Sequence, residues 1–148
     1  MESFLNRLKS DHPIPRPITC GWTNTGEPMW VAAARHDGDL VPGYVLNGVG
    51  FYAFKDQVVE KRGNENLPLV TGQNLVFCNP DTVPQEAFFR AGHAMANGKQ
   101  NPLYVGAADF AGVRLCGRVE NGVCYIAVNG VVHRQESDYL ILANTSFL

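Results

Sequence analysis

The chain has 148 residues, 45% of them hydrophobic and 18% charged, with a formal net charge of −2. That length suits one domain, or two small units sharing a core, and it can bury enough apolar surface to fold without staples. The near-neutral charge, with no concentrated Lys/Arg patch, argues against a nucleic-acid partner held by phosphate neutralisation, and the apolar runs are too short to cross a bilayer as helices.

In chain order, the first ten residues are the only helical-looking stretch. Phe4, Leu5 and Leu8 fall on one face of a short helix. This segment lacks the apolar core and cleavage site of a secretory signal, so a cytoplasmic location is expected. Beyond it the pattern is of short strands punctuated by Gly (15) and Pro (9). Strands are expected near 29–35, 43–47, 49–54, 57–61 and 66–70, then 74–78. A second series is expected near 103–109, 117–121, 123–128, 131–135 and 139–143. Asn47-Gly48 and Asn121-Gly122, each flanked by apolar runs, are two-residue hairpin signals. Cys20, Cys78, Cys116 and Cys124 show neither CxxC nor Cys/His zinc spacing. They read as reduced, semi-buried small hydrophobes, with no metal site and no cofactor expected.

The two strand series are one pattern written twice. Residues 28–34 (PMWVAAA) superimpose on 102–108 (PLYVGAA) at an offset of 74. The same offset pairs Gly38 with Gly112, Gly43 with Gly117, Asn47-Gly48-Val49 with Asn121-Gly122-Val123, Trp30 with Tyr104 and Phe51 with Tyr125. With small gaps, Ile14-Pro15 matches Val83-Pro84 and Gly21 matches Gly92. The expected fold is therefore all-β: a single domain over 1–148 built from two tandem homologous β-sheet repeats, 12–78 and 79–148. The repeats are expected to be intertwined about a pseudo-two-fold axis behind a short N-terminal helix. A C-terminal strand is expected to return and complete the first repeat's sheet, covering its edge, and a cleft is expected at the seam.

These residues resemble the DM-nine repeat family ("DM" with the numeral nine) of invertebrates. In the second copy the resemblance rests on Val83-Pro84, Ala91-Gly92, residues 103–108 (LYVGAA), residues 117–119 (GRV), Cys124-Tyr125 and residues 139–142 (YLIL). In the first it rests on Ile14-Pro15, Cys20-Gly21, residues 29–34 (MWVAAA), residues 38–45 (GDLVPGYV) and Phe51-Tyr52. The resemblance implies an all-β tandem fold that forms homodimers and acts as a lectin. It would bind mannose or mannose-rich glycans between the copies and take part in innate recognition. The family grips sugar hydroxyls with an acidic residue two positions after the small-Gly step and a Lys after Pro-Gly. Those positions hold Thr23 and Ala94, and Tyr44 and Arg118, respectively.

A sugar presents hydroxyls and apolar C–H faces, so its site needs fixed donors and acceptors beside an aromatic surface. The candidate ligand-binding residues are Trp22, Thr23 and Tyr44 in the first copy and His93, Ala94 and Arg118 in the second. Trp22 and Tyr44 would offer stacking faces and Arg118 a forked donor. The competing readings make Trp22 a core anchor, Arg118 a solvated charge and His93 a structural hydrogen-bonder. With Arg118 on the surface, Arg118→Ala would cost no more than about 1 kcal/mol. Residues 36–39 (HDGD) read as a polar turn, residues 60–62 with Glu65 as an exposed strand end, and residues 79–82 as a turn. No nucleophile elbow, P-loop, GxGxxG-helix or HExxH occurs, so no catalytic residue is assigned and a non-enzymatic protein is expected. The alternative to a sugar-binding protein is an interaction module that kept the fold and lost the sugar, since both copies lack the acidic residue and the Lys. An enzyme on the same fold is the third reading.

Overall fold

The computed structural model describes residues 16–70 and 74–147. The expected N-terminal helix and the Ile14-Pro15 step lie outside the described residues. Thirteen strands form one continuous antiparallel system. They are β1 (Thr19–Trp22), β2 (Pro28–His36), β3 (Asp39–Leu46), β4 (Val49–Phe54), β5 (Gln57–Arg62), β6 (Leu67–Pro68) and β7 (Leu75–Cys78). The second series comprises β8 (Arg90–Ala96), β9 (Lys99–Phe110), β10 (Val113–Glu120), β11 (Val123–Val128), β12 (Val131–Gln135) and β13 (Leu140–Asn144). Only 3-10 turns interrupt them among the described residues, at Gly63–Glu65, Pro80–Thr82, Gln85–Ala87 and Thr145–Phe147.

The hairpins form where the turn chemistry requires them. Asn47-Gly48 and Asn121-Gly122 take positive φ at both positions, 51° and 78°, then 52° and 78°. Those values twist a two-residue loop to match its strands, closing Leu46 on Val49 and Glu120 on Val123. Residues 36–39 form the expected polar turn, with His36 paired to Asp39.

The ladders of the first half recur in the second. Val31 pairs Tyr44 and Tyr44 pairs Phe51; 74 residues on, Val105 pairs Arg118 and Arg118 pairs Tyr125. The irregularity between Thr19 and Gly21 on β1 has its counterpart between Arg90 and Gly92 on β8. Each of these short strands leaves its own half to meet the other. β8 reaches β3 through the pairing of His93 with Leu40. On β1, the Cys20 carbonyl accepts a 2.7 Å bond from Arg114 Nε of β10. Gly21 and Gly92 permit this close approach. A Cβ on Gly21 would lie 2.6 Å from the Arg114 carbonyl oxygen, and one on Gly92 would collide with the Leu40 carbonyl oxygen.

The buried cluster draws on both halves. Val31, Val105, Ile126, Ile141 and Leu142 are each at most 1% exposed, and Cys20, Cys116 and Cys124 are buried among them. All four cysteines are free.

Three expectations need correction. The strand expected over 66–70 shrinks to Leu67–Pro68, although Leu69 still exchanges backbone bonds with Ile18 and Val31. The chain end is not a strand that completes the sheet around β2: Thr145–Phe147 is a 3-10 turn, and the chain meets the span of the first repeat through β13, which pairs β9 and β7, and through the Thr145 N–H, which donates to the Asn74 carbonyl. Strands β1 and β8 were not anticipated. Their sequences, TCGW and RAGHAMA, lack the β-branched alternation that marks a strand locally. They are strands because they fold back on β2 and β9, β8 through the Asn97-Gly98 turn, whose residues take positive φ of 52° and 75°.

Candidate functional site

Two clefts occupy equivalent places along the seam. The larger, about 540 Å³, is lined by Thr23 and Asn24 after β1, Tyr44 and Leu46 on β3, Phe51 on β4, and the tips of the β9–β10 and β11–β12 hairpins. The smaller, about 170 Å³, is lined by Ala94 and Met95 on β8, Arg118 and Glu120 on β10, Asp39 and Val41 on β3, and the β4–β5 hairpin tip at Phe54 and Lys55. The structure thus divides the sequence-derived residues. Thr23 and Tyr44 line one cleft; Ala94 and Arg118 line the other.

Tyr44 and Arg118 do the same job in each half. The β3–β4 ladder stops at the pair Tyr44 and Phe51, which leaves the Ala53 carbonyl beyond its end. Pro42, across from it, has no N–H to give. Arg118 Nε supplies the bond instead, at 2.7 Å. In the other half the β10–β11 ladder stops at Arg118 and Tyr125, and the Tyr44 hydroxyl donates to the Ala127 carbonyl at 2.8 Å. Each side chain crosses the seam to satisfy a carbonyl that its neighbouring ladder does not reach. Arg118 is accordingly 8% exposed, not the solvated charge the sequence also allowed.

The small cleft is electrostatically balanced. Arg118 Nη1 donates to Glu120 Oε1 at 2.6 Å, and its guanidinium lies over the Tyr125 ring, 4.1 Å from the centroid. Asp39 Oδ1 accepts the Met95 N–H at 2.9 Å, another tie across the seam. Lys55 Nζ sits 5.4 Å from the centre of the Phe54 ring. Two cations and two carboxylates therefore surround an apolar surface made by half-buried Phe54 and exposed Met95, with Val41 and Leu103 fully buried among them. No buried side-chain nitrogen or oxygen among the described residues lacks a partner. Asp39 and Glu120 are the acidic residues that sequence reasoning missed. Glu120 was within reach, because it lies two positions from Arg118 on one strand and so on the same face. Asp39 was not; it arrives from the other half through a turn with no local signal of the cleft.

The large cleft is of another character. Tyr44 stacks on Phe51 with 5.4 Å between ring centres and 30° between planes. Its phenol is pushed up to about 12, first by burial and then by the neighbouring Cys20 and Cys116. Thr23 lines this cleft with its hydroxyl already engaged, shared with Thr25 at 3.1 Å and accepting the Glu27 N–H at 3.1 Å, which closes the turn before β2.

Trp22 and His93 join neither cleft. Trp22 is 56% exposed, which overturns the core-anchor reading. It lies in a shallow open groove with Asn24, Asp109 and Arg114. His93 is half-buried and serves the β3–β8 pairing through its backbone.

Among the described residues no group of three or more His, Cys, Asp or Glu side chains could hold a metal ion, and no helix is long and apolar enough to cross a membrane. No protein-family model matches the chain, and no curated protein matches it either.

Proposed function

We propose that this protein is a carbohydrate-binding module whose sugar site is the small cleft around Arg118. The observation that carries this reading is the charge balance there. A ligand that is neutral overall and covered in hydroxyls can donate to Asp39 and Glu120 and accept from Lys55 and Arg118, while its C–H face rests on Phe54 and Met95. A volume of about 170 Å³ suits one pyranose ring and not an extended chain. Binding would therefore be end-on, to a terminal residue of a glycan.

The resemblance to the DM-nine repeat family supports mannose as the first sugar to test, and innate recognition as its setting. The acidic partner is shifted here: Asp39 and Glu120 offer carboxylates beside Ala94, where the family's acidic residue would stand. The recurrent ladders and the paired carbonyl bonds from Tyr44 and Arg118 support an origin by duplication, with the halves related by a two-fold axis. Four free cysteines suit a reducing, cytoplasmic setting. A homodimer would double the number of sites and raise avidity.

The test is a glycan array followed by calorimetry with methyl mannoside. Saturable binding that Glu120→Gln and Lys55→Ala both weaken supports the reading. No binding to any glycan at high protein concentration removes it. The exposed Trp22 favours a second reading, a protein-interaction surface. Partners captured from cell extract that excess mannose fails to release, and that Trp22→Ala loses, would select it.

A further inference from the structure

The two clefts occupy equivalent positions but differ at every charged place. Where the small cleft has Arg118, Glu120, Asp39 and Lys55, the large one has Tyr44, Leu46, Val113 and Asn129. The offset of 74 links each pair. All four charges are gone, and the volume rises from about 170 to about 540 Å³. That volume lies in the range of small-molecule sites, roughly 300–1,000 Å³.

We infer that the large cleft is a second binding site, for an uncharged, flat, apolar ring compound with one hydrogen-bonding edge. Its charge character selects against ions. No residue lining it is charged at neutral pH, so an ionic ligand entering it would lose water and gain no counter-charge. Its walls are rigid. The Tyr44 ring is fixed at its tip by the bond to the Ala127 carbonyl and on its face by Phe51. From the other half, Phe110 is held edge-on to His133, 5.2 Å between ring centres at 70°. Flat apolar faces favour ring-shaped ligands that stack offset or edge-on. The Tyr44 and Thr23 hydroxyls are engaged within the protein, while exposed Asn24 and Asn129 offer amide donors and acceptors. This site stands whether or not the small cleft takes a sugar.

The probe is N-phenyl-1-naphthylamine, which is uncharged, aromatic and emits strongly when desolvated. The intact protein should bind it saturably, one molecule per chain, with emission enhanced and shifted to the blue. The anion 2-naphthoate should bind at least about tenfold more weakly. Leu46→Glu installs the residue that the small cleft carries at the equivalent place, and it should weaken probe binding at least about tenfold while its circular dichroism stays that of wild type. Should that variant fail to fold, Phe51→Leu keeps the cleft apolar and removes one ring; its affinity should fall several-fold. Absence of saturable probe binding, equal affinity for the naphthoate, or wild-type affinity in a folded Leu46→Glu or in Phe51→Leu would overturn the assignment.

Discussion

Replacing Arg118 with Ala separates a seam-pinning arginine from a surface one. Three interactions go at once. The Ala53 carbonyl loses its 2.7 Å donor at a place where the ladder supplies none; leaving such a group unsatisfied costs about 1–3 kcal/mol. The bond to Glu120 is lost as well, but Glu120 keeps a 26% exposed side chain, so water takes over much of its solvation and the loss is about 1 kcal/mol. The guanidinium over Tyr125 adds about 1 kcal/mol. The three share one side chain and are not strictly additive, so the net expectation is about 3 kcal/mol. At roughly 2–4 °C per kcal/mol for a chain of this size, the melting temperature should fall by roughly 6–12 °C. Thermal and urea unfolding, followed by circular dichroism with and without sugar, provide the measurement. Tyr44→Phe is the internal comparison, because it removes only the bond to the Ala127 carbonyl and should cost about 1 kcal/mol. A loss under about 1 kcal/mol for Arg118→Ala would mean that the arginine is a surface residue, as the sequence reading allowed, and that the seam is held by something else.

Gly92→Ala should destabilise by about 1–3 kcal/mol, because the new methyl meets the backbone of Leu40 and not a side chain that can swing away; equal stability in urea would show that β8 does not dock on β3 as described. Alkaline titration followed at 295 nm should find Tyr44 still protonated when exposed tyrosines have ionised, since burial lifts it to about 12 from the ordinary 10. The folded state holds that proton longer than the unfolded state, so the associated stability is complete below pH 10 and falls as pH climbs from 10 toward 12; Tyr44→Phe should lose part of that alkaline slope. Under native conditions Cys20, Cys116 and Cys124 should resist a thiol reagent such as DTNB, because they are buried and burial pushes the Cys116 and Cys124 thiols up, Cys124 to about 12; rapid reaction of more than one thiol per folded chain would contradict the packing.

Much of the fold is legible without coordinates because hairpins are local. An Asn-Gly step specifies its own turn, and all four occurrences, at residues 47–48, 97–98, 121–122 and 129–130, form that turn. Apolar runs set between glycine and proline punctuation marked most of the long strands. At the 74-residue offset, Tyr44 pairs Val31 and Arg118 pairs Val105. The sequence by itself also placed Tyr44 and Arg118 at matching sites, because matching needs only register.

Tertiary structure decided what those sites are. Strands β1 and β8 lack apolar alternation and fold back on their chain neighbours β2 and β9, β8 through the Asn97-Gly98 turn; that turn was a local signal, but the seam both strands form with the other half could not be read from a window of residues. The carboxylates around Arg118 depend on that seam: Asp39 belongs to the first half and meets Met95 only after the halves dock. The contrast between a charged cleft and an apolar one has the same cause. Each cleft takes its walls from both halves, so its chemistry is the product of two segments about 70 residues apart, and no single segment encodes it.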